Sequence, residues 1–76
     1  MFRRIKVREY SGGRSSERPQ VLFIDDEVLV VEVMETWLEE DSIFRKRKRV
    51  FRVRDTLDRN YRVHYDYETG QWYLKI

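Results

Sequence analysis

Three stretches in the second half of the chain alternate apolar and polar residues with a period of two. They are Arg49–Asp55, Asn60–Asp66 and Gln71–Ile76. A period of two places successive side chains on opposite faces of an extended strand, so this pattern cannot be buried as helix. Thr56-Leu57-Asp58-Arg59 and Tyr67-Glu68-Thr69-Gly70 separate the stretches. Both spacers have hairpin length, and Gly70 supplies the positive φ that such turns commonly need. The spacing predicts an antiparallel meander. Phe51, Val53, Tyr61, Val63, Tyr65, Trp72, Leu74 and Ile76 form its apolar face, and Arg52, Arg54, Arg62, His64, Gln71, Tyr73 and Lys75 form the opposite one.

The first half is less regular. Gln20–Ile24 and Glu27–Val31 flank Asp25-Asp26 and read as a hairpin, although neither run alternates. Strands that are apolar on both sides are either covered on both sides or bulged. Beyond Val31 the β-branched content disfavours helix. A long strand is therefore expected to about Trp37, bulged near Val31–Val33 and ended by Glu39-Glu40-Asp41-Ser42. At most a turn or two of helix is expected around residues 31–42. Ile5–Tyr10 predicts a short strand, and residues 11–19, with Gly12-Gly13 and Pro19, a flexible connector. The division is residues 1–19 as N-terminal strand and connector, with residues 1–18 able to act as a loosely attached arm, and residues 20–76 as the β domain. Arg45–Arg49 is expected to be a solvated loop leading into the meander. The expected fold class is all-β: a five- or six-stranded antiparallel meander, twisted or curled into a small open barrel. Its expected core is Phe23, Val33, Trp37, Phe51, Val53, Tyr61, Val63, Tyr65, Trp72 and Leu74.

Several motifs resemble those of small bacterial cytoplasmic β-rich proteins grouped as a domain of unknown function. They are Arg18-Pro19 with Phe23, the mid-chain Trp37, Phe51-Arg52-Val53, and Tyr65-Asp66 with Thr69-Gly70-Gln71-Trp72-Tyr73-Leu74. The likeness spans roughly residues 18–76 and implies a shared β architecture. It brings no activity, cofactor or catalytic residue with it. The first hairpin of such proteins often turns at a glycine, whereas this one turns at Asp25-Asp26.

Composition removes most chemistries. There is no cysteine, so neither disulfide nor thiolate metal site can staple the chain, which favours a cytoplasmic setting. The apolar runs Val21–Ile24 and Val28–Val31 fall far short of a membrane span, and the basic start has no apolar h-region behind it. No membrane association is expected. The lone histidine, His64, is placed on a polar strand face with Arg62 and Asp66, without a Ser or Thr nucleophile nearby. Asp25-Asp26-Glu27 and Glu39-Glu40-Asp41 lack the alternate ligand spacing and glycine of a calcium loop. Gly12-Gly13-Arg14-Ser15 lacks the lysine and spacing of a phosphate loop. No catalytic residue, metal site or cofactor is expected, and the chain is read as a non-enzymatic binding module.

Charge is strongly segregated. Residues 1–19 carry six Lys/Arg against two Glu, residues 20–44 eight acids and no base, and residues 45–76 ten bases against four acids. Either the acidic and basic segments lie side by side and neutralise one another, or the basic part faces a polyanion. Two binding functions follow. The leading one is protein association or homodimerisation through the two-sided apolar hairpin, with Leu22 and Leu29 on the association surface. The alternative is single-stranded nucleic-acid binding by Arg52, Arg54, Arg62, His64, Tyr73 and Lys75, where cations meet phosphates and a ring stacks a base.

Overall fold

The computed structural model describes residues 1–9 and 18–76. They form β1 (Phe2–Glu9), β2 (Pro19–Ile24), β3 (Glu27–Glu40), β4 (Arg47–Asp55), β5 (Asn60–Asp66) and β6 (Gln71–Lys75). Each strand pairs antiparallel with the next, and β6 pairs with β1, so the meander closes into a six-stranded barrel. There is no helix among the described residues.

Two long strands make closure possible. Phe2–Ile5 of β1 pair with β6, while Lys6–Glu9 pair with β2. Residues 27–30 of β3 pair with β2, and the remainder, from Val31 to Glu40, with β4. Each strand therefore passes from a three-stranded sheet (β1–β2–β3) into a five-stranded one (β1–β6–β5–β4–β3). The expected bulge lies between Val33 and Glu35, where the β3–β4 register shifts by one residue. A bulge bends the strand and increases its twist, which suits a strand wrapping a narrow barrel.

The interior is filled by Ile5, Leu22, Leu29, Val31, Phe51, Val53, Val63 and Trp72. Val7, Ile24, Val33, Tyr61, Tyr65 and Leu74 pack against them. Leu22, Val53 and Val63 are fully enclosed. The face assigned to the meander from its period is the inward one, except that Ile76 stays exposed at the chain end.

Four expectations change. Phe23 was expected in the core but lies on the outer surface, because Leu22↔Leu29 is the inward pair of the first hairpin. Trp37 also faces outward, lying over Arg62. β1 is no loose arm: it closes the barrel by pairing with both β2 and β6. Arg47–Arg49 belong to β4, not to a loop; the reversal before them is held by Asp41, whose side chain accepts from the amides of Ile43 and Phe44. The connector expected over residues 11–19 lies, up to residue 17, outside the described residues.

Trp72 is 6 % exposed and contacts the rings of Phe51 and Tyr65, with centroids 5.4 and 5.3 Å away. Trp72→Ala is expected to cost about 3–5 kcal/mol, as aromatic truncations in cores do. Tyr73→Ala, on the outer face, is expected to cost distinctly less. Urea titration of both variants checks the register, which fails if the two costs are equal.

Candidate functional site: the paired basic face and the open apolar face

The acidic and basic segments lie side by side. In the β3–β4 ladder Glu32 stands opposite Arg54, Glu35 opposite Arg52, Glu39 opposite Lys48 and Glu40 opposite Arg47. Their charged atoms approach to 4.0, 2.7, 3.5 and 3.4 Å. Directly opposed charges of this kind contribute roughly 0.2–1 kcal/mol each. Together they also resist slippage of the long strand.

This ladder decides the surroundings of the expected nucleic-acid residues. Arg52 donates to Glu35, and Arg54 lies near both Glu32 and Asp58, the latter at 3.7 Å. Arg62 donates to Glu39 at 3.2 Å and lies over the Trp37 ring, 5.1 Å from its centroid. Three of the cations expected to face phosphate thus face carboxylates. Lys75 is exposed and makes no ion pair among the described residues.

His64 is not on an open polar surface; it is 7 % exposed. Its ring stacks on Tyr73 at 5.1 Å and meets the edge of Phe2 at 4.8 Å. Val50, its neighbour in register, is equally buried although it faces outward. Trp37, Val50, His64 and Tyr73 are consecutive cross-strand partners over β3–β4–β5–β6, and Phe2 closes over the row. Burial, reinforced by Lys48, holds the imidazole below its ordinary titration range, so it is neutral near pH 7. A neutral, covered imidazole offers neither a phosphate contact nor an accessible base.

The carboxylates are occupied as well. Asp55 is 6 % exposed and holds the β4–β5 turn, accepting from the amides of Leu57 and Arg59 at 2.9 Å each. It also accepts from Arg59 Nε at 2.7 Å and from the Tyr61 hydroxyl at 3.1 Å. Burial pushes this carboxyl up, but the four bonds outweigh it and bring its pKa down to about 2. An open cleft of about 400 Å³ is lined by Glu39, Glu40, Asp41, Lys46, Arg47, Lys48 and Asp66. Its carboxylates are answered by its own cations or by turn amides. Among the described residues no three His, Asp or Glu side chains gather as a metal site would require.

The outer face of β1–β2–β3 is different. Leu22 and Leu29, expected on the association surface, point inward and are 0 % and 8 % exposed. Alternation could not choose between the two faces of this hairpin because both are apolar. The outward residues are Val21 with Val30, and Phe23 with Val28, in register. Phe23, Val28 and Val30 are 39 %, 63 % and 56 % exposed. On β1, Arg8 stands beside Val21 and Lys6 beside Phe23, neither in an ion pair among the described residues. Glu32 carried the missing signal: it shares the face of Val28 and Val30, and a charged residue at that parity marks the outside.

Two acid-sensitive groups follow from this geometry. His64 sits below its ordinary 6.5, so the unfolded chain binds a proton first. Its share of stability is complete above that pH and declines as the pH falls below it. Asp55 sits below its ordinary 3.8, so its share is complete above that value and is lost as the pH falls towards about 2. Urea titrations across pH are expected to lose the upper dependence in His64→Gln and the lower one in Asp55→Asn, which should also be less stable at neutrality. Unaltered profiles in both variants would contradict the assignment.

No protein-family model, curated protein or solved structure matches this chain.

Proposed function

We propose that this chain is a non-enzymatic protein-association module, and that its contact surface is the outer face of β1–β2–β3. The observation carrying this reading is the in-register apolar patch of Phe23, Val28 and Val30, left exposed beside a barrel interior that is already full. The inward face of the same strands satisfies the core, so stability does not require the outward one to be apolar. Contiguous exposed apolar surface on a small domain is characteristic of a contact site. Of the other exposed apolar residues, Ile43, Phe44, Leu57 and Tyr67 sit in turns, Met1 and Ile76 lie at the chain ends, and Phe2, Met34 and Leu38 lie where β1 pairs with β6 and β3 with β4. The patch is continuous across two strands.

The alternative, single-stranded nucleic-acid binding, keeps Lys75 of the residues expected from the sequence and otherwise draws its support from the cations of β1. Arg4, Lys6 and Arg8 on β1, with Lys75 on β6, are exposed and outside the ion-pair ladder. The adjoining patch offers a single ring, Phe23, beside the aliphatic Val28 and Val30, whereas single-strand binding stacks successive bases on several rings, which favours a protein surface as the partner.

A photo-reactive phenylalanine analogue placed at Val28, inside cells producing the protein, tests the association reading. One discrete cross-linked species is expected, either a doubled chain or one partner of fixed mass, and it should be missing when the analogue replaces Glu68 on the β5–β6 turn. The same diffuse pattern from both positions would defeat the reading.

A further inference from the structure

The two margins of the exposed patch carry opposite charge. Lys6 and Arg8 line one side, on β1. On the other, β3 begins after Asp26 and continues through Val28 and Val30 to Glu32. The Glu32 carboxylate is 74 % exposed, and its cation, Arg54, at 4.0 Å, is the most distant of the four in the ladder. Asp26 is exposed and makes no ion pair among the described residues. β2 runs between the margins with Phe23 and Val21.

We propose that this face packs on the same face of a second copy of the chain, in an isologous dimer whose twofold axis runs along β2. The proposal rests on the association reading and names its partner.

Two ways of stacking the face on itself are symmetric. An axis across the strands lays β1 on β1 and opposes Lys6 and Arg8 to their own copies. An axis along β2 exchanges the sides, so that β1 of each protomer lies over β3 of its partner. In that arrangement Lys6 meets the partner at the level of Val28, and Arg8 at the level of Val30, through the pairs Lys6↔Phe23↔Val28 and Arg8↔Val21↔Val30. Glu32 lies two residues beyond Val30 on β3, about 6.6–6.8 Å in a strand, and Asp26 lies two residues before Val28, in the turn that opens β3. Long lysine and arginine side chains span that offset. Val21 and Phe23 of both protomers meet along the axis, while Val28 and Val30 are covered by the stems of the partner's Lys6 and Arg8, whose charged heads reach on to the acidic ends. Opposite charge thus selects one symmetric arrangement and rejects the other.

Charge exchange tests the arrangement. One chain carries Lys6→Glu with Arg8→Glu, a second carries Asp26→Lys with Glu32→Lys, and circular dichroism verifies that both fold. Sedimentation equilibrium should show the unaltered chain as a dimer at high micromolar concentration. Each altered chain alone should dissociate at least about tenfold more readily, since its like charges now oppose one another. Their equimolar mixture should recover a one-to-one dimer, because both rims then match. A monomeric unaltered chain at ~1 mM, dimers indifferent to both sets of substitutions, or a mixture without recovery would each overturn the proposal. A monomer that still gives one discrete cross-linked partner of different mass at Val28 would leave the association reading standing and remove only the second copy. A monomer that binds a fifteen-residue oligothymidine, and loses it in Lys6→Glu with Arg8→Glu, would overturn the dimer and assign the β1 margin to a polyanion.

Discussion

Six strands enclose a space that holds side chains and little else, and most of this structure follows from filling it. Eight-stranded barrels have interiors just wide enough for packed side chains, and a six-stranded one is narrower still. Leu22, Val53 and Val63 have no exposed surface at all, and Ile5, Leu29, Val31, Phe51 and Trp72 complete the filling. A short meander closes around so little volume only if some strands change sheets. β1 and β3 do so, each dividing its length between two partners. The bulge in β3 gives that strand the local bend which the change requires.

A narrow interior leaves more apolar side chains than it can hold, and the two sides of the barrel treat the surplus differently. Over β3–β4–β5–β6 the outward row of Trp37, Val50, His64 and Tyr73 becomes a second small cluster. Phe2 covers it, and Lys48, 4.8 Å from the Phe2 ring centroid, and Arg62 lie over its aromatic rings. Long cationic side chains spread their stems over apolar surface while keeping their heads in water. Here those heads also meet Glu39. Over β1–β2–β3 no such cover exists among the described residues, and Val28 and Val30 remain more than half exposed. The functional proposal rests on this contrast: Val50 and His64 are buried beneath a half-exposed Phe2, whereas Val28 and Val30 have no such cover among the described residues.

The same economy explains the chain's charge pattern. An acidic strand followed immediately by a basic one becomes a ladder of opposed pairs once a tight reversal brings them together. Asp41 holds that reversal, and Arg45, with a φ of 55°, adopts the left-handed conformation within it. Charges that look like an invitation to a polyanion when counted along the chain are largely spent within the fold. Arg4, Lys6 and Arg8 of β1 are among those left over, on a strand whose partners, β2 and β6, carry no acids of their own.

The sequence by itself determined the meander of β4, β5 and β6: its turns, its inward face and, apart from the start of β4, its strand limits. Period two is a local property, and Phe51-Arg52-Val53 can be read without knowing what it packs against. It also favoured a long third strand with a bulge, since Val28–Val31 resists helix, but the structure places the bulge between Val33 and Glu35 and carries the strand on to Glu40. Only the tertiary structure decided which side of the first hairpin faces in. Gln20–Ile24 and Glu27–Val31 are apolar on both sides, so within these two runs Leu22 and Phe23 could exchange roles, and the one hint to the contrary, Glu32, lies beyond them. The choice came from closure, which sets Leu22 against Leu29 inside and leaves Phe23, Val28 and Val30 outside. Likewise Arg52, Arg54 and Arg62 could be placed on one face from the sequence, but not opposite Glu35, Glu32 and Glu39. Those partners are 17 to 23 residues away along the chain, and a pairing register across a reversal is fixed by the packing of both strands at once.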